Sequence, residues 1–479
     1  MKATFNVLDQ GWIPVVTAEG KEELLGIRET LARAHELQAI STASPLEEYG
    51  LYRFLGLFLM DALRPESETD IEDLCEADSF DMEAIEEYIA LCRSEGVSFD
   101  LFDEERPFLQ CKHDPAVDGA EKPVNVLDVT RASGNNHTHF DHKTGSNVAI
   151  PPDKAARLLL ATYLFCTAAA QGYPSGVNAS PPYFGVIQGD NLQETLVHTL
   201  LPLESIGMSF DEPPVLWRRR GPIVPKKEIG KTSWLHGMLF PARRIHLIPD
   251  DAGNVCAVHI CQGENFVNKP SWHDPYVTYR IGKDGFFPLR PSADRAIWRN
   301  MCDIINIPGG QAPQLLALYR SIHAQDAVSL TLYGVETSNA SYLNVYRHTL
   351  AFPLSLSNNS GTVDALRFCI SAAETLANSL RSSLQNIEAL PGTMTSSSVN
   401  RYYQMCEGRF WQFCGQAAAG SCGRQELAAY CSDISEFALG VFTSTVGSLN
   451  LRAAALAAVE KQRNNLRKSI QKLQKEVSS

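Results

Sequence analysis

Apolar positions come in short, irregular bursts over roughly the first three quarters of the chain and settle into helical periodicity towards its end. Leu51, Phe54, Leu55, Phe58 and Leu59 repeat at the spacing of one helix face, which predicts a helix over Pro45–Leu63. The apolar stretch Leu158–Ala170 reads as a buried helix. Short β-like runs are expected around a turn at Asp9-Gln10-Gly11 within Phe5–Val16, then at Tyr183–Ile187, Val255–Ile260 and Val328–Leu332. Long Pro/Gly-rich loops separate them and no regular βαβ alternation appears. The expected class is therefore α+β, with no doubly wound sheet. After Gly361 four helical patterns follow, Val363–Leu390, Ser397–Ala418, Arg424–Leu439 (extending as far as Leu449) and Leu451–Val477. Pro391-Gly392, Gly420-Ser421 and Gly447-Ser448 punctuate them, which predicts a four-helix bundle. The expected domains are 1–360, irregular α+β, and 361–479, the bundle.

Composition narrows the class. Hydrophobic residues at 44% and charged residues at 20% exclude wholesale disorder. No apolar run reaches the ~18 residues that span a bilayer, and Met1–Asn6 shows no signal-peptide core, so a cytoplasmic protein without membrane contact is expected. None of the 12 cysteines forms a C-x-x-C pair, so reduced structural thiols are expected, with no metal and no cofactor.

The net charge of −13 argues at first against a nucleic-acid partner, since Lys and Arg neutralise phosphates. Its distribution reverses that inference. Residues Pro65–Arg106 hold 16 acids and two arginines, a net of −14, and the other 437 residues sum to +1. Helical spacing at Met82, Ile85, Ile89 and Leu91 makes this acidic segment a solvated helix face. Two basic stretches remain. One runs from Arg218 to Arg244 with Arg219, Arg220, Lys226, Lys227, Lys231 and Arg243, +7 in all. The other is the last helix, which includes Lys468 and Lys472, at +5. Each is a candidate phosphate-contacting surface or a plain solvated one.

Enzyme signals are sparse. There is no G-x-S-x-G, Walker A or G-x-G-x-x-G sequence. His137-Thr138-His139-Phe140-Asp141-His142 spells an H-x-H-x-D-H zinc-hydrolase pattern. It follows a polar loop, however, where that chemistry needs a buried strand end. A zinc metallohydrolase on His137, His139, Asp141 and His142 therefore stays an alternative, as does a helical-bundle adaptor without a nucleic-acid role. The loop Gln171–Asn178 and the stretch Tyr333–Tyr342, rich in small polar residues, are two further candidate sites.

Several ordered strings resemble one family. They are Phe5-Asn6-Val7-Leu8 with Trp12-Ile13-Pro14-Val15, Arg106-Pro107-Phe108-Leu109-Gln110, the loop ending Phe140-Asp141-His142, Gln188–Leu196, Trp272-His273-Asp274-Pro275-Tyr276, Pro288–Pro291 and Ile297-Trp298-Arg299. With the terminal bundle they resemble, over nearly the whole chain, the CasA family, the large subunit of type I-E CRISPR Cascade. The resemblance implies a non-catalytic subunit in antiviral defence. Such a subunit reads a protospacer-adjacent motif in double-stranded DNA from the minor groove, wedges the duplex open to begin an R-loop, and helps recruit an effector helicase-nuclease. The implied partners are CRISPR RNA, target DNA, and the backbone, small, guide-capping and processing subunits. It implies a glycine loop at Gly172, Ser175, Gly176 and Asn178, a groove-entering lysine at Lys269, a wedge at Asn339 flanked by Ser338 and Ser341, and a guide-RNA contact at Phe140.

Overall fold

A computed structural model describes residues 3–131, 148–167, 173, 176–206, 215–268, 272–283, 285–323, 327–338, 341–357, 360–388, 390–449 and 453–478. Two units divide the chain: Met1–Asp294 with Ala312–Ala351, and Arg295–Gln311 with Phe352–Ser479.

At the heart of the first unit lies the helix Pro45–Leu63, with Pro45 in its first turn and Arg64 closing it in the left-handed region at φ 50°. Leu46 through Asp61 are all buried, so this helix is packed on every side. Being buried all round, it must pair each of its charges. Glu47 takes Lys154 and Arg157, and Glu48 takes the Tyr333 hydroxyl at 2.6 Å and Arg347. Arg53 takes Asp274 at 2.7 Å, and Asp61 takes Arg218 at 2.9 Å and the Tyr88 hydroxyl at 2.7 Å.

The same unit holds three small antiparallel sheets. Ile13–Thr17 sits between Glu22–Leu25 and Leu37–Ile40. Only this part of the expected Phe5–Val16 region is strand. Asn6 holds a turn instead, accepting from Leu8 N and donating to Asp9. The second sheet orders Ser341–Pro353, Ala327–Ser338 and Phe184–Gln188, with Ser329 opposite Gln188 and Tyr333 opposite Phe184. The third places Val255–Gln262 between Lys122–Pro123 and Arg243–Pro249. The expected Leu158–Ala170 helix is Pro152–Phe165, ending where Cys166 turns extended. The acidic segment forms two helices, Glu68–Glu76 under a Ser67/Asp70 capping box and Met82–Ser94 capped by Asp81. In the latter Ile85, Tyr88, Ile89 and Cys92 are buried and Leu91 is exposed, so the inward row runs through 88 and 92.

The second unit contains the four helices Ser360–Gln385, Gly392–Ala418, Arg424–Gly447 and Ala453–Ser478. Its core includes Leu366, Leu376, Tyr402, Phe410, Phe413, Tyr430, Phe442 and Leu466. It also takes in Arg295–Gln311, from the stretch the sequence assigns to the first domain. Trp298 is fully buried with its ring 5.1 Å from Phe410, and Arg295 and Arg299 both pair with Glu374. All 12 cysteines are unbridged, eight of them buried. Among the described residues no helix is long and apolar enough to cross a membrane.

Candidate functional site

Three distant segments meet at one end of the second sheet. Phe184 opposes Tyr333 in antiparallel register, so the chain just before Phe184 and the chain just after Tyr333 lie at the same end. The first is the turn Gly176–Ala179, closed by Ala179 N donating to Gly176 O at 3.1 Å, with Ala179 at φ 64°. Gly176 lies against Cys166, the first residue after the Pro152–Phe165 helix. The second is the paired strand end at Ser338, which resumes at Ser341. Tyr342 ties it down, its hydroxyl donating to Phe165 O at 3.0 Å, and burial pushes that phenol up to about 12.

The third segment holds the turn. The Asp274 carboxylate accepts from Arg53 Nη2 at 2.7 Å, from Asn178 Nδ2 at 3.3 Å and from Tyr276 N at 3.0 Å. The guanidinium is sandwiched among Tyr276, Tyr49 and Phe184, its carbon 4.2 Å from the Tyr276 ring centre. The Trp272–Tyr276 string thus connects the central helix to Asn178.

Of the expected recognition residues, Gly176 and Asn178 precede, and Ser338 and Ser341 follow, the same end of the Phe184/Tyr333 pairing. Gly172, Ser175, Lys269, Asn339 and Phe140 lie outside the described residues, as do His137, His139, Asp141 and His142.

The basic stretch is corrected for four members. Arg218 is buried between Asp61 and Glu95. Arg219 grips Glu264 through both terminal nitrogens at 2.9 and 2.6 Å. Arg243 is buried, donating to Ala242 O and Thr167 O and lying over the Tyr173 ring. Arg244 is buried against Asp118, at 2.6 Å. Burial alone would raise the Asp118 carboxyl, but Arg244, the Asp114 N–H and His113 hold it below its usual value. A buried guanidinium needs a fixed anion or carbonyl, and these four have them within the fold. The exposed cations of the stretch are Arg220, Lys226, Lys227 and Lys231. On the last helix Leu466, Ile470 and Leu473 are buried while Lys468 and Lys472 are exposed.

The sequence reading gave no role to the Arg106–Gln110 string. It lines a cavity of about 510 Å³ that also includes Lys112, Trp217, Arg219 and Arg244. Arg106 spans it, donating to Glu95 O and Arg219 O at 2.8 and 3.1 Å. Leu109, at φ 58°, is a backbone signal that pattern alone does not reveal.

A family model described as CRISPR-associated protein Cse1 matches residues 6–439. A curated CRISPR-associated protein CasA/Cse1 of Thermus thermophilus is 29% identical over 405 residues, covering 80% of this chain and 78% of that protein. The crystal structure of CRISPR-associated protein Cse1 from Acidimicrobium ferrooxidans superposes with a TM-score of 0.78 at 21% identity, covering all of both chains. A chain of a solved CRISPR RNA-guided surveillance complex gives a TM-score of 0.79 at 20% identity, covering 97% of this chain and 100% of that one.

Proposed function

Because the chain belongs to the CRISPR-associated Cse1 family, we propose that it is the large, non-catalytic subunit of an RNA-guided surveillance complex that reads a short motif in duplex DNA and starts strand separation. Its partners in this reading are CRISPR RNA, the other subunits of the complex, target DNA and an effector helicase-nuclease. The observation that carries it is the convergence at one sheet end of the Gly176–Asn178 turn and the Ser338/Ser341 strand ends that flank Asn339.

The chemistry follows from that placement. Exposed Arg220, Lys226, Lys227, Lys468 and Lys472 draw in the duplex through phosphate contacts that carry no sequence information. The turn, with Gly172, Ser175 and Lys269, tests the motif in the minor groove, where the hydrogen-bond code is degenerate and a permissive motif suffices. Asn178 is restrained by Asp274, so the turn is presented on an element anchored in the core. A polar wedge at Asn339, carried between two sheet strands, unstacks the adjoining pairs at a few kcal/mol per step, and guide pairing offsets that cost. Phe140 stacks on a guide base.

The test is Asn339→Ala in the assembled complex, with opening of the first target base pairs followed by a fluorescent base analogue. Opening should slow or fail while affinity for a pre-opened target is kept. Unchanged opening overturns the wedge assignment.

A further inference from the structure

Cys75, His198 and His323 come together in the first unit from three distant segments. Cys75 is near the end of the Glu68–Glu76 helix, and His198 directly follows Leu192–Val197. His323 directly follows Gln314–Ile322. One donor atom from each lies within 4.8 Å of the other two, and all three side chains are half-buried. We propose that these residues form a binding site for one zinc-class dication, outside the nucleic-acid surface.

The donor set has the right chemistry. One thiolate with two imidazoles suits zinc, cobalt or copper and disfavours magnesium and calcium. Tetrahedral zinc, with bonds of about 2.0–2.3 Å, holds such donors about 3.3–3.6 Å apart. Even a pair at the 4.8 Å limit has to close by only about 1.2–1.5 Å, within reach of side-chain rotation. The rings are already oriented: Tyr319 stands edge-on to His198 at 4.8 Å and lies 4.5 Å from His323, and the two imidazoles are nearly perpendicular. His198 Nδ1 is buried and has no hydrogen-bond partner among the described residues, a vacancy that a metal fills without cost to the fold. Burial and then the Glu194, Glu72 and Glu76 carboxylates push the Cys75 thiol up to about 11, so it stays protonated until a bound cation takes the place of its proton. Water completes the shell. On binding, the Cys75 thiol gives its proton to solvent and the sulfur lone pair forms the metal bond, while the imidazoles bind neutral.

The site joins the Glu68–Glu76 helix to the turn after Leu192–Val197 and to the end of Gln314–Ile322. The strand Ala327–Ser338 starts shortly after His323. Metal would thus brace the root of the strand whose far end is Ser338.

Cobalt(II) is the probe, titrated into the chelator-stripped full-length chain. The expected result is one equivalent bound, with a thiolate-to-cobalt charge-transfer band and tetrahedral visible bands that zinc abolishes. Cys75→Ser should remove the charge-transfer band. Loss of an outer-shell partner already costs about 10–100-fold in affinity, so His198→Gln and His323→Gln should weaken binding by at least about tenfold. Absence of the band in the unsubstituted chain overturns the proposal even if a variant misfolds. A band that survives Cys75→Ser also overturns it, by placing the metal on another thiol. The readout involves no nucleic acid, so its outcome is independent of the DNA-recognition reading.

Discussion

Removing the Asp274 carboxylate tests whether the central helix depends on compensated charge. The Arg53 side chain is 0% exposed and that of Asp274 2%. In Asp274→Ala the guanidinium would be left among three aromatic rings with no anion. One-sided loss of a buried ion pair costs about 3–5 kcal/mol. Asn178 Nδ2 and Tyr276 N lose their acceptor as well, at about 1 kcal/mol each. The expected loss is therefore about 5–7 kcal/mol at neutral pH. Arg53→Met in the same chain removes the stranded charge. The double variant should then be more stable than Asp274→Ala alone by about 2–4 kcal/mol. With two units in the chain a single global transition is not the right measure. Native-state hydrogen exchange of the Pro45–Leu63 amides, read by mass spectrometry, reports the opening free energy of this helix directly. A loss below about 1 kcal/mol in Asp274→Ala, or a double variant less stable than that single one, would refute the reasoning.

Three other outcomes follow from the charges. Lys226→Ala and Lys227→Ala should each lower the salt slope of duplex binding by the assembled complex by about one while leaving the fold intact. Arg219→Ala should instead destabilise the first unit, because it strands Glu264, which is 1% exposed; unchanged hydrogen exchange of the Arg243–Pro249 and Val255–Gln262 amides in Arg219→Ala would show that the pair is idle. Acid sensitivity should depend in part on Asp118. Its carboxyl is held below the usual value, so its contribution is complete above about pH 4 and fades as pH falls through the lower folded value. The opening free energy of the Arg243–Pro249 amides, read by hydrogen exchange from neutral to about pH 3, should fall less steeply for Asp118→Asn than for the unsubstituted chain, from a lower starting point. Parallel profiles would contradict this.

Local pattern carried much of the fold. The Pro45–Leu63 helix has the bounds its apolar spacing predicts, and the four terminal helices lie where Pro and Gly punctuate the chain. What pattern missed depends on partners remote in sequence. The run Arg218–Arg244 counts as +7 along the chain, yet Arg218 meets Glu95 across 123 positions and Arg244 meets Asp118 across 126. A charge sum over neighbours cannot see these acids, so interior ion pairs resembled a phosphate surface. Trp298 is a parallel case. Its position in the chain assigns it to the first domain, while its ring lies in the core of the helical unit. The Gly176 segment was legible as a loop and the Tyr333–Tyr342 stretch only as small polar residues, though the strands run on to Ser338 and resume at Ser341; strand register alone relates them to one sheet end. The Cys75, His198 and His323 donors share no spacing rule at all.

The central helix has a consequence for how the protein is made. Glu48 is translated 299 residues before Arg347, and Arg53 is translated 221 before Asp274. At about 5–20 residues per second, the ribosome needs roughly 15–60 s to deliver the last of these partners. During that interval the most apolar helix of the first unit has emerged, but its interior charges are still uncompensated. It cannot become buried on its own, so synthesis leaves a sticky, half-charged segment waiting on the ribosome. For a chain built this way, slower translation past residue 48 lengthens the exposure of that segment, and chaperone access during the interval bears on yield alongside thermodynamic stability.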